Sequence, residues 1–282
     1  MAIWHSILEN RAVLSIKGAE RADFLQNLIT QDITRCTQDA PQAGILLTPQ
    51  GKLAFDFLIK ISDAGYLLDC DSAIAEAFLK KLSMYKLRRD IDITRHDAVV
   101  RVIWSDEPNA KLPQLEGFFR DPRLAGLGLR SIGDARADLS DINAASAQAW
   151  HHFRMLLGVP EGSTEMPVGT VFPLEFGFGY LHAIDFQKGC FVGQEVTSRV
   201  HRKGSLRKHL HPAKFGTRVP PAGTPIMHDT RTVGEIVASH DNQALILLRT
   251  DAPHTMLHAD GAPFTLLPGL FGPDSAPDGG EA

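Results

Sequence analysis

Between Leu53 and Ile61 the apolar residues Leu53, Phe55, Phe57, Ile59 and Ile61 alternate with Ala54, Asp56, Leu58 and Lys60, a period of two that predicts a β-strand. Pro49-Gln50-Gly51 just before it is a turn signal, so 44–48 and 53–61 are predicted to pair as a hairpin. Upstream, Ala22, Leu25, Leu28 and Ile29 recur at three- and four-residue spacing, which predicts an amphipathic helix over 19–31 lying on the sheet. Asp71 can cap a second helix to about Lys86, with Ile74, Phe78, Leu82 and Tyr85 on one face and Arg88-Arg89 complementing the dipole of its last turn. Strands are expected over 91–95 and 98–104. A third helix is expected over 143–157, with Trp150, Phe153 and Leu157 on one side and Gly158 and Pro160 as its stop. Helices interleaved with strands at irregular intervals indicate an α+β sheet protein and not a regular βαβ array.

After His211 the pattern changes. Val219-Pro220-Pro221-Ala222-Gly223 reads as a linker, and 233–239 with 244–249, joined through Asp241-Asn242, reads as a hairpin in a smaller all-β unit. The division is therefore 1–211 for an α+β region, 212–270 for a β domain and 271–282 for a tail, whose Pro, Gly, Asp and Glu without apolar period predict disorder.

Composition adds two constraints. The formal charge of −4 conceals an asymmetry: the stretch 188–211 carries a net +5 and the remainder −9. A basic stretch in an acidic protein points to a local anionic ligand, the alternative being a solvated charged face. The three cysteines, Cys36, Cys70 and Cys190, are odd in number and far apart, which argues against a disulfide framework and for reduced thiols. With no apolar leader and no long apolar window, the expectation is a cytoplasmic protein with no membrane partner. No metal site is expected either. His151 and His152 are adjacent on a helix and diverge by about 100°, a poor ligand pair.

Candidate chemistry concentrates in Lys188-Gly189-Cys190-Phe191-Val192-Gly193-Gln194-Glu195. A cation beside a cysteine favours the thiolate, and flanking glycines let the backbone bend or approach a ligand closely, so Cys190 and Lys188 are the candidate reactive pair. The bland alternative is a buried structural cysteine, common for that residue type. The run resembles K-G-C-[FY]-x-G-Q-E, the signature of the YgfZ family of folate-binding proteins, relatives of the glycine-cleavage T-protein. The resemblance continues through Glu195-Val196-Thr197-Ser198-Arg199, His201-Arg202-Lys203-Gly204, Arg154-Met155-Leu156-Leu157-Gly158-Val159-Pro160 and Phe172-Pro173-Leu174-Glu175. It implies a cloverleaf of two related α+β lobes plus a C-terminal β-barrel. It also implies a tetrahydrofolate-binding accessory protein that supports iron–sulfur cluster assembly or repair and RNA-modifying enzymes, with iron–sulfur client or assembly proteins as partners.

Within that resemblance Asp56, Glu175, Gln194, Glu195, Arg199 and Arg202 are the candidate folate-binding residues. Asp56 is the lone carboxylate in its strand and can accept hydrogen bonds from the amino-pyrimidine edge of a pterin, or else it sits on a solvated sheet face. Arg199 and Arg202, with Lys203, suit the carboxylates of a folate tail. Direct nucleic-acid binding is disfavoured because no aromatic residues interleave the basic stretch. The T-protein relatives carry an acidic pair where this chain reads Gly51-Lys52-Leu53-Ala54-Phe55-Asp56, and a glutamate where it has Leu156. The alternative reading, a folate-dependent aminomethyl- or methyltransferase, is disfavoured by both departures. A monomer is expected.

Overall fold

A computed structural model describes residues 2–107, 110–133, 137–204 and 206–271. Strand β1 (Ile3–Ile7) is set aside for a sheet completed much later, while β2 (Arg11–Lys17), helix α1 (Arg21–Gln26), β3 (Gln42–Leu47), β4 (Leu53–Ser62), β5 (Gly65–Asp71), helix α2 (Ala75–Lys86) and β6 (Asp92–His96) build the first lobe. Its sheet runs β3-β4-β5-β2-β6, with every neighbouring pair antiparallel. Strands β7 (Val100–Ser105), β8 (Phe119–Arg120), β9 (Leu129–Ile132) and β10 (Asn143–Ala144) join β1 in a second sheet ordered β10-β1-β7-β9-β8, followed by helix α3 (Ala147–Leu156). After helix α4 (Gln194–Lys203), strands β11 (Lys208–Phe215), β12 (Pro225–His228), β13 (Arg231–His240), β14 (Gln243–Arg249), β15 (Leu257–Ala259) and β16 (Ala262–Leu266) close into a barrel ordered β11-β14-β13-β12-β15-β16. The fold is α+β, as expected. The barrel takes in Lys208–His211, residues that the sequence division places before it, because those strand residues pair with β14. The tail over 271–282 lies, Phe271 apart, outside the described residues; Phe271 itself stacks on His209, with ring centroids 4.1 Å apart.

Two helices are shorter than their periodicity predicts, each because a backbone segment is captured by a strand. The first ends at Gln26 because Ile29 bridges Leu46 and the Thr30 hydroxyl donates to the carbonyl of Ala183 at 2.6 Å. The third starts at Ala147, capped by the Ser146 side chain, because Asn143 and Ala144 pair with β1.

Strand β4 also departs from its alternating pattern: residues 53–59 are buried on both faces. Phe55 and Phe57 stack on Phe78 of α2 at 4.6 and 5.3 Å. Its other face joins a core that contains Leu58, Val13 and Leu67 from the first sheet and Val102, Trp104 and Trp150 from the second lobe. A sheet covered on one face by helices and on the other by a second sheet has no solvated face left for Asp56.

Between the two sheets lies a layer of buried charge. The Asp69 carboxylate accepts from Arg11 Nε of its own sheet at 2.6 Å and from Arg130 Nε of the second sheet at 2.7 Å. The Arg123 guanidinium makes two hydrogen bonds to Asp121 and donates to Glu161 Oε2 at 2.7 Å, an oxygen that Arg130 Nη1 reaches at 3.4 Å. Arg154 of α3 grips Glu165, which in turn accepts from the Glu161 backbone N–H at 2.9 Å. Asp71 accepts from both the backbone N–H and the hydroxyl of Ser163. Burial alone would raise the Glu161 pKa, but Arg11, Arg123, Arg130 and Arg154 hold it well below the usual glutamate value of 4.5.

Breaking one partner of such a layer strands the others in low dielectric, which costs roughly 3–5 kcal/mol. Glu161→Gln is therefore expected to lower unfolding stability by about that amount at pH 7 in denaturant titration. A glutamate depressed in the folded state contributes stability above pH 4.5 that is lost as pH falls through the folded value. The variant should accordingly show a flatter acid limb than the parent; an unchanged midpoint and acid limb would count against the layer's role.

Candidate functional site

The Cys190 loop is held at both ends. At its start, the Lys188 ammonium donates to the carbonyls of Gln26, Ile29 and Gln31, each at 2.8 Å. Those carbonyls lie at and just beyond the end of α1, where helix geometry leaves acceptors unpaired and a cation is favoured. Asp185 fixes the same corner: its Oδ1 accepts from the backbone N–H of Gln187 and Lys188, and its Oδ2 faces Arg35 at 3.2 Å. Burial draws the Lys188 pKa down to about 8, opposed by Asp32 and Asp185.

At the other end, Gly193 (φ +79°) lies so close to the β3–β4 turn that a Cβ there would fall 2.5 Å from the Thr48 carbonyl oxygen. Gly51 of that turn (φ +74°) likewise packs against Val196 of α4, where a Cβ would come within 2.8 Å. At Gly193 a backbone leaves no room for a side chain, and at Gly51 the Val196 side chain fills that space. The Gln194 amide braces the loop from within by donating to the Gly189 carbonyl at 3.2 Å.

Between these anchors Cys190 is exposed, whereas Cys36 and Cys70 are buried. Burial pushes the Cys36 thiol up to about 11 and the Cys70 thiol up to about 12. The sequence places Lys188 beside Cys190 as its activating cation, but the ammonium's three protons are directed at three backbone oxygens.

The remaining candidate residues fall in three places. Glu195, Gln194 and Arg202 line a shallow cleft with Phe186, Ser198 and His201, the His201 ring stacking on Phe186 with centroids 3.6 Å apart. Arg199 is exposed on the same helix, outside that lining. Glu175 sits where the second lobe meets the barrel; burial raises its pKa against the opposing effects of Lys208 and the backbone of Lys208 and Arg207.

Asp56 faces the inter-sheet charge layer, where burial pushes its pKa up against the pull of Arg11, while Glu161 adds to the rise. It lies three residues along β4 from Leu53, a rise of about 10 Å, and Gly51 sits in the turn just before that strand. One strand thus carries the seat of the cysteine loop at its start and the buried acid further along. Beside Asp56, two buried polar atoms have no hydrogen-bond partner: Arg11 Nη1, a donor, and Glu161 Oε1, an acceptor. Sequence reasoning missed Arg11, Asp69, Arg123, Arg130 and Glu161. The available signal was the one that exposed Asp56, a charge inside an apolar strand, as in Tyr66-Leu67-Leu68-Asp69 or Leu129-Arg130-Ser131-Ile132.

Residues 207–271 match the family model for the CAF17 C-terminal beta-barrel domain, in agreement with the closed barrel. The human mitochondrial iron–sulfur cluster assembly factor IBA57 is 30% identical over 89% of this chain and 79% of its own length. The mitochondrial IBA57 homologue of Mycosarcoma maydis is 31% identical over 77% of this chain and 57% of its own. The crystal structure of the glycine cleavage system aminomethyltransferase T from Bartonella henselae superposes with a TM-score of 0.75 at 12% identity, covering 95% of this chain and 85% of that one. At that identity the likeness is one of fold. It bears out the T-protein-like cloverleaf with its C-terminal barrel.

These relatives also correct the expectation of a cytoplasmic protein. They are mitochondrial by name, and the comparison points to a mitochondrial setting. Among the described residues no helix is long and apolar enough to cross a membrane.

Lys188→Met is expected to destabilise the fold by roughly 1–3 kcal/mol, because it leaves buried carbonyls unpaired. The same variant should leave the alkylation rate of Cys190 at pH 8 unchanged or raised. A slowed thiol in a fully stable variant would restore Lys188 as its activator.

Proposed function

The chain belongs to the family of IBA57 iron–sulfur cluster assembly factors, and from that premise we propose that it is an accessory protein of cluster assembly whose working group is the Cys190 thiol and whose regulatory ligand is a reduced folate. The observation that carries the first half is the presentation of Cys190: one exposed sulfur, on a loop pinned by Lys188 and Gly193, in a chain whose other two thiols are buried. Thiolate is the protein ligand of choice for iron–sulfur clusters, so a fixed, exposed cysteine suits contact with a cluster carried by a partner protein. The cluster is cargo in this reading.

The folate half is supported by the polar atoms at Asp56. A buried donor on Arg11 and a buried acceptor on Glu161, both without partners beside an acid, fit the donor and acceptor edge of a pterin. Arg202 and Arg199 on α4 would take the carboxylates of the tail, in the direction that β4 runs back from Asp56 toward the cysteine loop. Bound folate would supply a one-carbon carrier or a conformational signal. The chain's own part is to hold the pterin among fixed charges and to keep water from it. Aminomethyl transfer is not part of this reading, since the Gly51–Asp56 run offers a single acid.

Cys190→Ser is expected to abolish complementation in cells that lack the endogenous assembly factor, and Cys190 should be the first of the three thiols alkylated in the folded protein. Full complementation by the serine variant together with slow labelling of Cys190 would overturn the thiol assignment. For the ligand, calorimetry should show tetrahydrofolate binding that Asp56→Asn weakens about ten- to a hundredfold, the loss of one charged hydrogen bond. Equal affinity in parent and variant would remove Asp56 from the pocket, and no binding to the parent would remove folate while leaving the Cys190 reading intact.

A further inference from the structure

His152 of α3 and His240 of β13 approach from opposite sides of the contact between the second lobe and the barrel. Their Nδ1 atoms are 2.9 Å apart, and the rings stand edge to face at 88°. Asp241, the next residue in the β13–β14 turn, places Oδ2 at 3.3 Å from His240 Nδ1. The three side chains offer ligand atoms that all lie within 4.8 Å of one another. The neighbouring His151 is engaged elsewhere, accepting from Arg154 Nε at 3.1 Å. The adjacent pair in the sequence is therefore not a ligand set, while a pair 88 residues apart brings two ring nitrogens face to face.

Two imidazole nitrogens at this distance either share one proton or direct both lone pairs at a cation. Bonds of 2.0–2.1 Å from one ion place neighbouring ligand atoms about 2.8–3.4 Å apart for bond angles between square and tetrahedral. The two short separations, 2.9 and 3.3 Å, fall in that interval. The third edge can close by rotation of the Asp241 carboxylate, which is 79% exposed, whereas the His240 side chain is held at 25% exposure. Partial burial of the two nitrogen ligands orders them, and the exposed carboxylate gives an ion a path of entry.

We propose that His152, His240 and Asp241 form a binding site for a divalent first-row transition-metal ion of the Zn²⁺ or Fe²⁺ class, which ties α3 to the barrel. Two imidazoles and one carboxylate with room for water suit such ions, whereas Mg²⁺ and Ca²⁺ prefer sets of oxygen ligands. The site does not depend on Cys190 or on folate. Its consequence is mechanical: α3 carries Arg154 into the inter-sheet layer, so an ion at its outer face would fix the barrel against the helix that anchors one end of that layer.

The test is a titration of the full chain with Zn²⁺, and anaerobically with Fe²⁺, after chelator treatment. It is run in the parent and in a Cys190→Ser background, so that the exposed thiol does not compete. One-to-one binding is expected in both, with at least a tenfold loss of affinity in His152→Gln and in His240→Gln, a smaller loss in Asp241→Asn, and no response to Mg²⁺. The thermal midpoint should rise with Zn²⁺ in the parent and not in the histidine variants, since an ion that binds only the folded state stabilises it. Asp241→Asn alters an exposed turn residue and keeps the test decisive if a histidine variant fails to fold. Zn²⁺ affinity unaffected by all three substitutions, or absent from the parent, would reduce the pair to an ordinary N–H···N hydrogen bond and overturn the proposal.

Discussion

The carboxylate of Asp69 accepts from Arg11 within its own sheet and from Arg130 across the gap, and the relation of the two lobes depends on that shared acid. Apolar faces alone would let two twisted sheets slide over one another, because hydrophobic contact is non-directional. A guanidinium fork on a carboxylate is directional and leaves a misregistered neighbour with an unpaired charge. The layer extends the constraint through Asp121, Arg123 and Glu161 to Arg154 of α3 and Glu165. Buried ion pairs add little net stability by themselves. Here they act as a register device: removing any one member costs far more than the intact set contributes.

From that layer β4 leads to the Cys190 loop. The strand holds Asp56 inside the layer and begins at the turn where Gly51 meets α4 and Gly193 meets Thr48. The cysteine loop rests on this turn and is tied by Lys188 to the end of α1. A residue that reads in the sequence as chemical machinery is thus an anchor, and Cys190 owes its exposure to two fixed points on either side. The same logic separates the thiol from the folate question, since the loop's geometry is complete without any ligand among the charges.

Legibility in the sequence followed the range of the interactions. The β3–β4 hairpin, α2 and the β13–β14 hairpin were legible because turn chemistry and periodicity are local, although Asp71 caps the 3-10 turn Ser72–Ile74 that leads into α2 and not α2 itself. The ends of α1 and the start of α3 were not, since Ile29 and Asn143 are claimed by strands distant in the chain. The Cys190 motif was legible as a unit, but the partner of Lys188 was not, because the carbonyls it caps lie some 160 residues earlier. The charge layer left only scattered signals at positions 11, 69, 130 and 161. Asp69 and Arg130 follow apolar runs, whereas Arg11 and Glu161 sit among polar neighbours, and only the meeting of the sheets shows that they are one network.

A carboxylate shared across the sheets that sets the register of the lobes must couple energetically to its partner, which a double-mutant cycle on Arg130 and Asp69 measures. Arg130→Met, Asp69→Asn and the double variant would be compared by equilibrium unfolding. The account predicts a coupling energy of about 2–3 kcal/mol, with the double variant far less destabilised than the sum of the singles. Additivity within about 0.5 kcal/mol would contradict it.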